Sequence, residues 1–237
     1  MRLSAPLYRL KRKARLMSRA QNIPLHQALD RIAAEEGFRG WSLLATRTEE
    51  ITPAGEIFSR LNLGDLVLLG ARPRHGKTLM SLRLAVEAMK AGNRGIFFTL
   101  EYTERDIQSR FEAIGATFEH FKGLFAFDTS DAISADYIIE RLASAPGGTL
   151  VVVDYLQILD QDRQKPELMA QVRALKAFAR EKGLIMIFIS QIDRSYETSA
   201  KAYPDLADVR LPNPLDLTLF DKTFFLNRGE VQLRAAG

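Results

Sequence analysis

The chain has 237 residues, 46% of them hydrophobic and 26% charged, with a formal net charge of +4. That length suits one α/β domain with a small appendage, and the composition is ordinary for a globular protein. With no cysteine, disulfides, thiolate metal sites and cysteine nucleophiles are excluded, which fits a cytoplasmic location. No apolar run approaches the roughly 20 residues that span a bilayer, and the basic N-terminus lacks the apolar segment of a secretory signal, so no membrane partner is expected.

Taken in order, residues 1–20 hold Arg2, Arg9, Lys11, Arg12, Lys13, Arg15 and Arg19 and no acid. Leu7, Leu10, Ala14 and Met17 recur at helical spacing, which predicts a basic amphipathic helix. A second helix is predicted over Pro24–Glu36, with Pro24 early and Gly37 past its end. A short third helix starts near Gly40 and carries Trp41. Two readings stay open for this small bundle. Lys11, Arg12, Lys13 and Arg15 meet nucleic-acid phosphates, or they form a solvated face on a packing appendage. Residues 46–64, with Pro53, Gly55 and the Asn62-Leu63-Gly64-Asp65 turn, read as a connector.

From there strands and helices alternate. Strands are predicted at 66–70, 95–100, 124–127, 149–154 and 184–190, with helices at about 77–91, 103–115, 134–145 and 166–182. A closing hairpin is predicted at 222–227 and 230–234. This alternation calls for a mostly parallel twisted sheet with helices on both faces, whose ligands sit at the carboxyl ends of the strands.

The first of those ends carries the strongest signal. The apolar run Leu66–Leu69 reads as a buried strand, and Ala71-x4-Gly76-Lys77-Thr78 after it fits a phosphate-binding loop. Ala71, Arg72, Pro73, Arg74, His75, Gly76, Lys77 and Thr78 are therefore candidate nucleotide-binding residues. Gly76 allows close backbone approach, and the loop and helix N–H groups face an anion. Lys77 reaches the β- and γ-phosphates, and Thr78 ligates Mg²⁺. Two further strands end on acids. Glu101 can deprotonate a water for attack on the γ-phosphate, although an acid before a helix also suits the helix dipole. Asp154 supplies a second group on the Mg²⁺ side. The strand 184–190 ends on Gln191, whose amide can hydrogen-bond the γ-phosphate.

Gly70-Ala71-Arg72-Pro73-x-x-Gly76-Lys77-Thr78, Phe97–Glu101, Val153–Gln157 and Ile189–Arg194 resemble the ATPase motifs of DnaB-type replicative DNA helicases, a branch of the RecA-like P-loop fold. Pro204–Arg210 is similar to the segment that follows in that family, and the resemblance covers about residues 51–228. It implies a RecA-like ATPase domain over 65–237, and the residues before it read as a connector at 47–64 and a small helical appendage at 1–46. It also implies ATP and Mg²⁺ as cofactors, hydrolysis at the subunit interfaces of a hexameric homo-oligomer, and movement along single-stranded DNA. By the same resemblance Lys77 and Thr78 are the phosphate and Mg²⁺ residues, Glu101 the catalytic carboxylate, Asp154 the second acid and Gln191 the γ-phosphate sensor. Arg194 is a further nucleic-acid candidate, and Arg110 matches an arginine whose role the residues do not define. Three features depart from the family. Residues 1–46 do not resemble its usual N-terminal helical domain, which is larger. Asp160–Pro166, where a DNA-contacting loop is expected, is short. The family's Lys-x-Arg finger has no match before Gly237, which leaves Arg228 and Arg234 as the basic residues nearby and predicts slow turnover by the isolated chain. The rival reading is a RecA-fold ATP-binding switch or adaptor that acts on a protein partner without unwinding DNA.

Overall fold

In the computed structural model the chain divides into two units, Met1–Ser59 and Arg60–Gly237. The structure describes residues 3–5, 7–47, 52–73, 75–160, 166–198, 201, 204–211, 213–227 and 230–235.

The first unit is helical. α1 (Leu7–Gln21) lays Leu10 and Ala14 against Ala28 and Ile32 of α2 (Leu25–Glu35), all four buried. Leu7 meets Ala33 and Leu44, the last on α3 (Trp41–Arg47). This is the apolar stripe read from the spacing, closed by burial rather than by caps. α4 (Pro53–Phe58) starts where a connector was expected: the Thr52 side chain accepts from the Gly55 N–H at 3.0 Å, and Pro53 occupies the first turn. Pro53, read as part of the connector, is instead a helix start, because proline costs nothing where the N–H has no partner.

The second unit is a seven-stranded sheet between helices. Its strands are β1 (Leu66–Ala71), β2 (Gly95–Thr99), β3 (Phe125–Asp128), β4 (Leu150–Asp154), β5 (Ile185–Gln191), β6 (Lys222–Asn227) and β7 (Glu230–Ala235). The connecting helices are α5 (Lys77–Lys90), α6 (Glu104–Ala113), α7 (Phe118–Phe121), α8 (Ala135–Arg141) and α9 (Leu168–Lys182). The order is β3-β2-β4-β5-β1-β6-β7. All neighbours run parallel except β6 and β7, the antiparallel hairpin. β1 and β4 are buried at every position, as strands covered on both faces must be.

Register decides which strand-end residues share a face. Thr99 pairs with Asp154, Asp154 with Ile189, and Ile189 with Leu69. Paired residues of a parallel sheet project to one side, and so do residues two further on. Thr99, Asp154, Gln191 and Ala71 therefore share one face. Gly70, Ser190 and Phe225 share the other, on which α8 and α9 close over Leu68, Val153 and Phe188.

At the opposite strand ends a charged clamp joins β1, β6 and α9. Lys222 pairs with Asp65, while Asp221 meets Lys176 at 3.1 Å and Arg180 at 3.0 Å and accepts from the Leu66 N–H at 2.9 Å.

Candidate functional site

The site is built where β1 turns into α5. Gly76 caps the helix in the left-handed region (φ 85°), which a side chain rarely adopts. A Cβ there would meet no protein atom within 4 Å, so backbone conformation is what demands glycine at this position. Gly70 is different: a Cβ would come within 2.8 Å of the Phe225 ring and 3.2 Å of Ile192 Cδ1. Gly70 faces away from the loop and serves packing between β1 and β6. Lys77 and Thr78 open α5, so their N–H groups have no intrahelical acceptor and the positive end of the helix lies at the loop.

Thr78 and Asp154, 76 residues apart, meet directly: the Thr78 hydroxyl donates to Asp154 Oδ2 at 3.1 Å. Asp154 is fully buried, and its Oδ1 has no partner among the described residues. Burial pushes its pKa up to about 6; Lys77 pulls it down, Glu101 pushes it up, and the Thr78 hydrogen bond and Arg110 pull it down. Lys77, Glu101 and Arg110 thus all act electrostatically on this carboxylate. The Asp154–Tyr155 peptide is cis.

Glu101 is exposed, and its N–H donates to Thr99 Oγ1 at 3.1 Å. The cap of the helix that follows is made by other residues. α6 is capped by Thr103, whose side chain accepts from the Asp106 N–H at 3.3 Å while Asp106 accepts from the Thr103 N–H at 2.9 Å. With capping done by Thr103 and Asp106, the Glu101 carboxylate has no partner among the described residues. Gln191 ends β5 beside Ala71, half-buried, and its carbonyl accepts from the Arg210 N–H at 2.8 Å.

Among the loop residues, Arg72 and His75 are half-buried and Pro73 is exposed. Arg74 lies outside the described residues, as do residues 161–165 of the short loop, Arg228, and the side chain of Arg234. Arg194 is exposed at the start of a 3-10 turn (Arg194–Thr198) after β5. Lys11, Arg12, Lys13 and Arg15 are exposed on α1. Sequence reasoning passed over Tyr102. Its hydroxyl lies 3.4 Å from Thr78 Oγ1, and its ring carries the Arg110 guanidinium at 3.8 Å. The signal was an aromatic directly after a strand-end acid, with an arginine on the following helix to stack on it.

The donor set suits Mg²⁺. Mg²⁺ takes hard oxygen ligands, one or two from protein and the rest from phosphate and water. A buried carboxylate with an unpartnered oxygen beside a threonine hydroxyl matches that demand. Among the described residues no group of three His, Cys, Asp or Glu forms an all-protein cage. Nor, among those residues, is any helix long and apolar enough to cross a membrane.

A mostly parallel sheet with a glycine-capped strand-to-helix loop after β1 and acids following β2 and ending β4 defines a RecA-like P-loop fold. Residues 125–232 match the DnaB-like helicase C terminal domain. The replicative DNA helicase DnaB of Helicobacter pylori is 28% identical over 75% of this chain and 43% of its own length. That of Pasteurella multocida is 27% identical over 87% of this chain and 51% of its own length. These matches are all to DnaB-type replicative helicases, and the chain spans about half the length, or less, of these relatives. Among solved structures, the ATPase domain of the protein named G40P superposes with a TM-score of 0.60 at 23% identity, covering 79% of this chain and 80% of that one. A DnaB-like replicative helicase studied with primase gives 0.60 at 19%, covering 96% and 73%. At these identities the structural likeness is one of fold.

Proposed function

We propose that the chain is an ATP- and Mg²⁺-dependent ATPase of the DnaB-like helicase type that acts with single-stranded DNA in replication or repair in the cytoplasm. The observation that carries this reading is the 3.1 Å hydrogen bond from Thr78 to Asp154, with Asp154 Oδ1 unpartnered beside it. Thr78 and Asp154 would hold Mg²⁺, which when bound neutralises charge on the β- and γ-phosphates. Ala71–Thr78 wraps the phosphates, and Lys77 places its ammonium on the β/γ pair. Glu101, exposed and relieved of capping, orients a water and accepts its proton. Gln191 holds the γ-phosphate side from β5. By family likeness the working form is a homo-oligomeric ring.

The test is a pair of variants. Glu101→Gln should keep nucleotide affinity and lose hydrolysis by about 10²–10⁴-fold, the range of a lost general base. Lys77→Ala should weaken nucleotide binding itself. Hydrolysis by Glu101→Gln at the wild-type rate would refute the catalytic assignment. Acceleration of ATP turnover by single-stranded DNA separates this reading from a switch or adaptor that acts on a protein partner. Sizing with and without ATP and an oligonucleotide tests the ring.

A further inference from the structure

Five of the six cations on α1 fall into two rows that the fold treats differently. On one flank Arg9 and Lys13, four residues apart, each meet an acid of the same unit: Arg9 reaches Glu56 at 2.9 Å and Lys13 reaches Glu35 at 2.5 Å. On the other flank Lys11, Arg15 and Arg19 recur at four-residue steps, exposed, and no acid meets them among the described residues. At helical rise this row is about 12 Å long. Like charges at four-residue spacing repel and weaken a helix, and among the described residues no acid meets these three side chains.

We propose that the row Lys11–Arg15–Arg19 is a contact surface for the phosphate backbone of single-stranded nucleic acid, and that Lys13 is a structural ion-pair residue outside it. The inference rests on the reading of the chain as a DNA-acting ATPase. An anionic backbone supplies the charge the row lacks, and association releases the counterions that three repelling cations gather. A lipid surface fits poorly. A helix that lies on a membrane inserts an apolar face, whereas Leu7, Leu10 and Ala14 are already buried within the unit. The row contains no aromatic side chain for a base to stack on, so its contacts are to phosphate, tolerant of sequence and steep in salt.

The test measures binding of a fluorescent oligothymidylate to the full chain across a range of salt concentrations. Lys11→Gln/Arg15→Gln/Arg19→Gln should lower the slope of log affinity against log salt by about 2, three contacts at roughly 0.7 each. Arg9→Gln/Lys13→Gln, which also removes cations from α1, should move it far less. The triple variant should melt no lower than wild type, since it removes repulsion. If it does not fold, each single variant should still lower the slope by about 0.7. A wild-type slope in the triple variant, with tight binding retained, would overturn the row and leave DNA-dependent function standing. An equal loss in the Arg9/Lys13 pair would overturn the distinction between flanks. Failure of the wild-type chain to bind the oligonucleotide would remove both the row and the DNA reading. Equal competition by polyglutamate would assign the row to an acidic protein instead.

Discussion

Asp154 shows how one residue carries the tension between folding and function. Its ordinary pKa is 3.8, and burial raises it to about 6 in the folded chain. A group with a raised folded pKa binds more protons folded than unfolded, so its contribution is fully present below pH 3.8 and is lost as pH rises toward 6. The ionised carboxylate then costs about 3 kcal/mol. Asp154→Asn should therefore stabilise the ligand-free protein at pH 8 by about 1–3 kcal/mol, with the gain vanishing toward pH 4 in urea melts at the two pH values. The same substitution should abolish the Mg²⁺ dependence of nucleotide binding, since Mg²⁺ needs the charged oxygen. Gly70 carries a second residue-scale prediction. Its missing Cβ is space taken by the Phe225 ring at 2.8 Å, so Gly70→Ala should cost about 1–3 kcal/mol by overpacking. Phe225→Leu added to Gly70→Ala should cost less than the two changes summed, which a double-mutant cycle reads directly.

At the scale of elements, the ends of β1 have separate duties. Its carboxyl end leads into the loop proposed to bind phosphate, and its amino end is held by Asp221, which precedes β6. Burial works to raise the pKa of Asp221, but the Leu66 N–H, Lys176 and Arg180 outweigh it and hold the carboxyl below its ordinary range. With a depressed folded pKa the sign reverses. The contribution is present above about pH 4 and is lost as acid protonates the carboxylate. Asp221→Asn should flatten the acid limb of the stability profile below pH 4 and leave the region above pH 6 nearly parallel to wild type. An unchanged acid limb would show that the clamp is held elsewhere. The start of α6 is a further element-scale arrangement. Thr103 and Asp106 cap the helix, and this leaves Glu101 outside it, at the end of β2.

For the whole molecule, every residue assigned to the nucleotide site lies in Arg60–Gly237, and the cationic row that meets no acid among the described residues lies in Met1–Ser59. A chain cut after Ser59 should therefore bind Mg²⁺-nucleotide with near wild-type affinity. It should bind single-stranded DNA with a salt slope lower by about 2. Loss of nucleotide binding on truncation, in a protein that still melts cooperatively, would show that the first unit contributes to the site.

What the sequence determined alone was local and periodic. Buried strands such as Leu66–Leu69, the helical stripe Leu7-Leu10-Ala14, the phosphate loop and the acids at strand ends are written in neighbouring residues, because pleat and helix repeat over short distances. The Thr-Pro start of α4 was also local, but the same residues mark linkers and helix starts, and only the Gly55 N–H reaching Thr52 decides between them. The tertiary structure alone decided what depends on residues far apart in the chain. Register put Thr99, Asp154 and Gln191 on one face and Gly70 with Phe225 on the other. Long-range pairing gave Lys13 an acid and left Lys11, Arg15 and Arg19 without one among the described residues. The physical reason is range: hydrogen bonding and side-chain direction repeat every two to four residues, whereas burial and charge compensation are set by whatever the fold brings alongside.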